Sequence, residues 1–329
     1  MSLRVAVQMD PLERINIHGD STFAIMLKAQ ELGHSLFHYL PADLSFAEGR
    51  LWTMGYPVKV QRVEGVHYSF GEPRILDLGK DIDVVLMRQD PPFDLGYITA
   101  THLLEAIQQE TLVVNDPVGV RNAPEKVWVL DFPQFMPPTA ITRSKGLTRK
   151  FLAEQGEIVI KPLHGFAGGS VFRIGQDGRN LASLIELFNQ TYREPHVIQK
   201  FLPEIAQGDK RIVLVDGEVA GAVNRVPGEG EIRSNLAVGG TAAKTELTER
   251  EKEICGTLGP ELKRRGLLFV GIDVIGGRWL TEINVTSPTG IVAIDRFNGT
   301  DTPGLIWGAI ERRLGISVQN GADFSSHRA

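Results

Sequence analysis

The sequence predicts a mixed α/β protein, with a parallel-sheet α/β unit first and mixed or antiparallel sheets after it. Three observations carry that expectation. Arg4 to Met9, Thr22 to Leu32 and Ser35 to Leu40 read as strand, helix and strand, and strands joined by a helical crossover run parallel. The composition then shifts at Asn122-Ala123-Pro124 and again at Pro137-Pro138, which marks a boundary. Beyond it, strand patterns follow one another through glycine-rich loops with less regular helical spacing.

Taken in order, Asp20 or Ser21 caps the first helix and Gly33 ends it. Residues 50–78 alternate weakly and are expected to form an antiparallel excursion. Ile82 to Met87 is a buried-strand pattern closing on Arg88-Gln89-Asp90-Pro91-Pro92, followed by a helix over Gly96 to Gln109 and a strand over Leu112 to Asn115. Asp10 and Arg88 both follow the carboxyl ends of strands, where open α/β sheets bind ligands. Arg88 is a candidate carboxylate anchor, since a guanidinium gives a bidentate contact; pairing with Asp90 or Asp94 is the other reading. Past the boundary come strands at Ile158 to Lys161, Val171 to Ile174 and His196 to Lys200, with a helix over Leu181 to Gln190. Asp209-Lys210-Arg211 opens a strand over Ile212 to Val215. Residues 225–240 carry four glycines and little periodicity, the pattern of a mobile cover, and the polar tail from about Val318 is expected to be disordered.

Length and charge limit the function. At 329 residues the chain can hold two or three domains with buried cores. Its net charge of −5, without a basic stripe, argues against a nucleic-acid partner. Lys263-Arg264-Arg265 and Arg312-Arg313 fall at predicted helix ends, where cations suit the dipole. Cys255 is the single cysteine, so no intramolecular disulfide forms and a reducing compartment is expected. The chain enters a strand at once without a signal-like segment, and no apolar run reaches the roughly eighteen residues a membrane span requires. A cytoplasmic protein is expected.

Chemistry concentrates in Gly271 to Gly290. Asp273 sits in an apolar strand pattern, and Trp279 to Val285 brings Glu282 and Asn284. A hairpin turn centred on Gly277-Arg278 sets Asp273 opposite Glu282 and Asn284 opposite Gly271, so the three oxygens share a face; a turn on Gly276-Gly277 keeps that face. Two carboxylates about 5 Å apart repel unless a cation lies between them, and Mg²⁺ takes such oxygen ligands together with substrate phosphates. The alternative is an acidic solvent face on an antiparallel hairpin.

The loop from Lys161 to Ser170 holds Gly165, Gly168 and Gly169, yet a strand follows it where a P-loop has a helix, and Gly-Lys-[Ser/Thr] is missing. Its backbone N–H groups can still face phosphate oxygens, with Lys161 in reach; a plain flexible hairpin is the other reading. His164 reads as a solvated loop side chain. Arg211 and Arg225 could clamp developing charge, although each alone is more often a surface ion pair.

These segments in this order resemble the ATP-grasp ligases, and more narrowly the prokaryotic glutathione synthetase family. The resemblance rests on Met9-Asp10-Pro11, Asp20-Ser21-Thr22-Phe23, the run Leu86 to Phe93, Asn115-Asp116-Pro117, Glu125-Lys126, Lys161-Pro162-Leu163, Gly208 to Arg211, Asn235-Leu236-Ala237 with Gly239-Gly240, and the run Thr281 to Thr289. It implies an ATP-grasp fold preceded by a parallel-sheet α/β substrate domain: residues 1–123 for substrate, 124–200 a lid, 201–316 the catalytic part, and a polar tail at 317–329. It implies ATP-dependent joining of γ-glutamylcysteine and glycine through an acyl phosphate, with release of ADP and phosphate. Other carboxylate–amine ligases and a non-catalytic ATP-binding regulator are the alternatives. By the resemblance, Lys126, Lys161, Gly165, Gly168 and Gly169 hold ATP phosphates, Gln199, Lys200, Phe201 and Leu202 surround adenine, and Asp209 lies near the ribose. Asp273, Glu282 and Asn284 carry Mg²⁺, or alternatively Mn²⁺, while Arg211 and Arg225 steady the transferring charge. Asp10, Ser21, Arg88, Asn235, Ser287 and Thr289 are the substrate candidates, and a homo-oligomer, dimer or tetramer, is implied. Two departures stand out: His164 precedes Gly165 and Ala167 replaces a usual glycine, and the metal hairpin is one residue longer than the family pattern.

Overall fold

The computed structural model describes residues 2–166, 168–235 and 239–316. The expected disordered tail and the question of backbone strain at Ala167 lie outside the described residues.

The first sheet is built from β1 (Arg4–Gln8), β2 (Ser35–Tyr39), β3 (Ser45–Ala47), β4 (Arg50–Val60), β5 (Tyr68–Phe70), β6 (Arg74–Asp77), β7 (Val84–Met87) and β8 (Leu112–Val114). Its order is β3-β4-β2-β1-β7-β8, with β5 and β6 paired to β4. β1 runs parallel to β2 and β7, and β7 to β8, while β4 joins β2 antiparallel as the expected excursion. Helix α1 (Ser21–Glu31) is capped by Asp20, whose carboxylate accepts the Phe23 N–H at 2.7 Å. Helices α2 (Leu95–Glu105) and α3 (Pro117–Arg121) begin at Asp94 and Asp116 in the same way.

The second sheet, ordered β11-β10-β12-β9, is antiparallel throughout: β9 (Thr139–Thr142), β10 (Ile158–Pro162), β11 (Phe172–Ile174) and β12 (His196–Lys200). One face packs on α4 (Lys145–Gln155) and α5 (Leu181–Thr191) through Leu152, Ile158, Ile160, Ile185, Phe188 and Ile198. Helix α4 has no counterpart in the sequence reading; its exposed, charge-rich stretch buries only Thr148 and Leu152 and so shows little apolar periodicity.

The third sheet, β15-β14-β13-β16-β17, is also antiparallel: β13 (Asp209–Val215), β14 (Glu218–Val226), β15 (Thr241–Ala243), β16 (Phe269–Ile275) and β17 (Trp279–Asn284). Its back face, with Ile212, Ile272 and Ile283, shares a core with Ile254, Leu258 and Leu262 of α6 (Glu249–Arg264). Val213, Val223 and the buried residues of α7 (Ile291–Asn298) and α8 (Thr302–Arg313) share a second core with α1. β14 runs to Val226, so Arg225 lies in a strand and not in the loop where its glycine-rich surroundings had suggested it.

Asn115 fixes the first sheet to the third. Its amide donates to the carbonyls of Phe269 (2.7 Å) and Val285 (2.8 Å) and accepts the Phe269 N–H (2.8 Å).

A second tie lies at His34, which is buried edge-on against Trp307 at 4.8 Å. Its Nδ1 accepts the Leu3 N–H at 3.3 Å, and its Nε2 faces Glu311 at 3.8 Å. Burial lowers the His34 pKa from 6.5 and outweighs the pull of Glu311 in the other direction. The folded state therefore binds fewer protons here than the unfolded state, so this contribution to stability is complete above about pH 6.5 and is lost as pH falls toward the lower folded value. His34→Gln is expected to flatten the loss of stability between about pH 7.5 and 5.5, read as denaturant midpoints. Equal pH dependence in both proteins would contradict it.

Candidate functional site

A cavity of about 340 Å³ lies between the second and third sheets. Strand alternation explains which side chains enter it. In β10, Ile158 and Ile160 face the helices, so Val159 and Lys161 face the cavity, and Gln199, cross-strand from Val159, joins them. In the third sheet, Arg211, Asp273 and Glu282 stand in one cross-strand row. Asp209 pairs with Arg225 two residues away on the same face, and Asn284 faces Gly271 on the other side of the row.

The predicted register therefore holds, by a different route. The turn forms on Gly276-Gly277, both at positive φ, with the Ile275 carbonyl accepting the Arg278 N–H at 3.3 Å. Ile275 then faces Trp279 and Val274 faces Leu280, and an irregularity between Asp273 and Val274 restores Asp273 opposite Glu282. The extra residue is absorbed in β17 as well as in the turn.

The charges form two linked groups. Asp273 accepts from Arg211 Nε at 2.6 Å and Nη2 at 3.1 Å, and lies 3.0 Å from Arg225 Nη2; Arg225 Nε also reaches Asp209 at 2.6 Å. Both arginines are 5% exposed, which sets aside the alternative of surface ion pairs. Burial alone would raise the Asp273 pKa, but Arg211 and Arg225 together hold it well below the usual carboxylate range. Glu282 lies 3.5 Å from both Lys126 and Lys161, and these lysines keep it ionised against the effect of burial. Burial, with Lys126 beside it, lowers the Lys161 pKa, although Glu282 opposes the shift.

Asp273, Glu282 and Asn284 fit a hard divalent cation: two carboxylates and an amide oxygen on one face, with no sulfur or imidazole donor. The Asn284 amide nitrogen points to the Gly271 carbonyl at 3.2 Å and to Asp273 at 3.4 Å. Both carboxylates are already satisfied by arginine and lysine, so a cation must bring its own anions to displace them.

Across from this row, Lys126 Nζ donates to the Gly165 carbonyl at 2.5 Å. A Cβ at Gly165 would meet Pro162 Cγ at 2.4 Å, and one at Gly168, already at φ +73°, would meet Asn235 Oδ1 at 2.8 Å. Those contacts explain glycine at both positions. His164 is half-buried against Phe93, ring centroids 5.7 Å apart, so it is not the freely solvated loop side chain expected.

All the ATP, metal and charge-clamp candidates line this cavity, as do Asn235, Ser287 and Thr289. Asp10, Ser21 and Arg88 do not. Asp10 accepts the Asp90 N–H at 2.8 Å, and Ser21 accepts the Gly290 N–H at 3.1 Å. Arg88 is buried, donating to Thr22 Oγ1 at 3.0 Å and the Pro288 carbonyl at 2.9 Å; it makes no ion pair with Asp90 or Asp94 among the described residues. Asp90, Glu125 and Thr286 also line the cavity without having been singled out for a role. In the sequence they lie within the runs that carry the resemblance, beside or close to Arg88, Lys126 and Ser287.

Known proteins resemble this chain. Residues 3–121 match the family model described as prokaryotic glutathione synthetase, N-terminal domain, and residues 125–299 match that of its ATP-grasp domain. The chain is 58% identical over 313 residues to a glutathione synthetase of Rhodopseudomonas palustris, covering 95% of this chain and 99% of that one. It is 44% identical to a glutathione synthetase of Yersinia pestis, covering 95% and 98%. Among solved structures, the D-cycloserine synthetase DcsG matches with a TM-score of 0.65 at 16% identity, covering 94% of this chain and 99% of that one. D-alanyl-alanine synthetase A of Vibrio cholerae matches at 0.58 and 13%, covering 96% and 99%. At such identities the structural likeness speaks for the fold alone.

Proposed function

Because the chain belongs to the prokaryotic glutathione synthetase family, we propose that it joins γ-glutamylcysteine to glycine while cleaving ATP to ADP and phosphate. The observation that carries this reading is the convergence of Lys126 and Lys161 on Glu282, beside the Arg211–Asp273–Arg225 cluster, in one cavity between two antiparallel sheets.

On this reading the cysteinyl carboxylate of the dipeptide attacks the γ-phosphorus of ATP; a new O–P bond forms, and the bond to the bridging oxygen breaks with its electrons leaving on ADP. Glycine's ammonium gives up a proton to solvent, and its amine then attacks the acyl carbon; a C–N bond forms, the acyl C–O bond breaks with its electrons on the departing phosphate, and the nitrogen's surplus proton leaves with that phosphate. Lys126, Lys161 and the backbone N–H groups near Gly168 and Gly169 hold the phosphates, and Gln199 to Leu202 receive the adenine. Arg211 and Arg225 face the charge that develops on the transferring group, in a cavity where low dielectric strengthens each contact. A divalent metal held by Asp273, Glu282 and Asn284 together with nucleotide phosphates, magnesium or alternatively manganese, supplies charge neutralisation when bound. Residues 1–123 take the dipeptide, 124–200 close on the nucleotide and 201–316 supply the metal row. A homo-oligomer in the cytoplasm belongs to the same proposal; among the described residues no helix is long and apolar enough to cross a membrane.

The test is ADP release by the purified chain with ATP and Mg²⁺. Release is expected only when γ-glutamylcysteine and glycine are both present, with glutathione formed in equal amount. Release that depends on another carboxylate and amine would refute the substrate assignment.

A further inference from the structure

Five carboxylates line the cavity: Asp90, Glu125, Asp209, Asp273 and Glu282. Three are neutralised by protein cations, Asp209 and Asp273 by the arginines and Glu282 by the lysines. Asp90 and Glu125 pair with no lysine or arginine among the described residues. An anion in a partly desolvated wall is costly unless a cation reaches it, so an unpaired carboxylate held in a fixed orientation marks a place for a ligand cation.

Glu125 is so held. Thr286 Oγ1 donates to its Oε1 at 2.7 Å, and its backbone carbonyl accepts the Ile283 N–H at 3.0 Å, which ties it to the strand that carries Glu282 and Asn284. Lys126, its neighbour in sequence, donates to the Gly165 carbonyl and pairs with Glu282, and forms no ion pair with Glu125. Close by, the Tyr97 hydroxyl is buried without a hydrogen-bond partner, its surroundings charged by Glu125, Arg88 and Asp90. Burial raises the Glu125 pKa and outweighs the opposing pull of Lys126, the Thr286 hydroxyl and Arg211. The two unpaired carboxylates differ in company. The charges around Glu125 are Lys126, Glu282 and Arg211, at the reacting end; those around Asp90 are Arg88 and Asp10, toward the first sheet.

We infer that Glu125, oriented by Thr286, binds the ammonium group of the acceptor amino acid and places its nitrogen beside the reacting carbonyl. This rests on the ligase reading above, which supplies an acceptor that is cationic before it reacts. The dipeptide carries a second ammonium on its glutamyl head, and Asp90 lies on the side where that group would rest.

Steady-state kinetics of the full chain, varying each substrate in turn, test the assignment. Glu125→Gln is expected to raise KM for glycine about tenfold or more, with KM for ATP and for γ-glutamylcysteine within about twofold, a selective loss of roughly 1.4 kcal/mol. With hydroxylamine, an uncharged nucleophile near neutral pH, in place of glycine, Glu125→Gln should lose far less, since no ammonium needs binding. Thr286→Val, which keeps the carboxylate but frees it, should raise KM for glycine by a smaller factor, and it serves if Glu125→Gln does not fold. Asp90→Asn should move KM for the dipeptide. A Glu125→Gln defect that falls on γ-glutamylcysteine, or equally on hydroxylamine and glycine, overturns the assignment. Failure of the unaltered chain to ligate this substrate pair would overturn the ligase reading instead, and would be seen before any variant is made.

Discussion

Glu282→Gln is expected to lower turnover by at least about a hundredfold, some 2.7 kcal/mol of transition-state stabilisation, while the protein still folds. The substitution keeps shape and removes one charge from a group that has two roles in sequence. Without nucleotide, Glu282 separates Lys126 from Lys161, 3.5 Å from each. On the proposed reading, nucleotide phosphates would satisfy those lysines and free the carboxylate for a metal. A neutral amide in its place therefore leaves two neighbouring lysines without their shared anion, and the burial that already lowers the Lys161 pKa allows that residue to shed its proton. That escape limits the cost to folding, so the melting temperature should stay within a few degrees of the parent. Metal binding should respond more sharply. Calorimetry with Mg²⁺ is expected to show weak binding to the free protein, where Asp273 and Glu282 are engaged by arginine and lysine, and strong binding once ADP is present. In the variant the ADP-dependent part should largely disappear. Parent-like turnover, or tight Mg²⁺ binding without nucleotide, would remove Glu282 from the metal site.

How far the site could be read beforehand follows from which interactions are local. The period of two in a strand and a short hairpin were enough to put Asp273, Glu282 and Asn284 on one face, because register depends on residues close in sequence. The same reasoning missed how register is kept, since a β-bulge leaves no mark in the hydrophobic pattern. The ion pairs were not legible. Arg211 and Asp273 are 62 residues apart and meet only because β13 pairs with β16; without that pairing, a lone arginine in a polar opening reads as surface. Glu125 stands in the sequence only as the neighbour of Lys126, for a related reason. That it forms no ion pair among the described residues shows only when every neighbour is in place. Helix α4 hid because it buries so little, and Arg88 took partners, Thr22 and Pro288, that no charge pattern would suggest.

Asp273→Asn is expected to be the more damaging change to stability. The carboxylate binds Arg211 through two oxygens and shares one of them with Arg225, with all three side chains buried. Asparagine can accept from one guanidinium but cannot balance the charge of either. Arg225 would keep Asp209 at 2.6 Å, whereas Arg211 would be left with the Thr289 carbonyl at 3.2 Å. Removing one partner of a buried pair costs about 3–5 kcal/mol, which should lower the melting temperature by several degrees or more. Asp209→Asn should cost less, since Arg225 retains Asp273. The pH dependence gives an independent check. The Asp273 pKa is lowered below 3.8 in the folded state, so its stabilisation is complete above that value and is lost as pH falls through the still lower folded value. The stability gap between parent and Asp273→Asn should stay constant from neutral pH to about pH 4 and narrow only below that. Asp273→Asn should also turn over slowly, because Arg211 and Arg225 lose the carboxylate that fixes both, so activity alone cannot separate a metal ligand from an arginine anchor. Melting can: a variant within a degree of the parent would mean that the arginines are held by something other than Asp273. A fall of the expected size would make this carboxylate the anchor of the charge clamp before any metal binds.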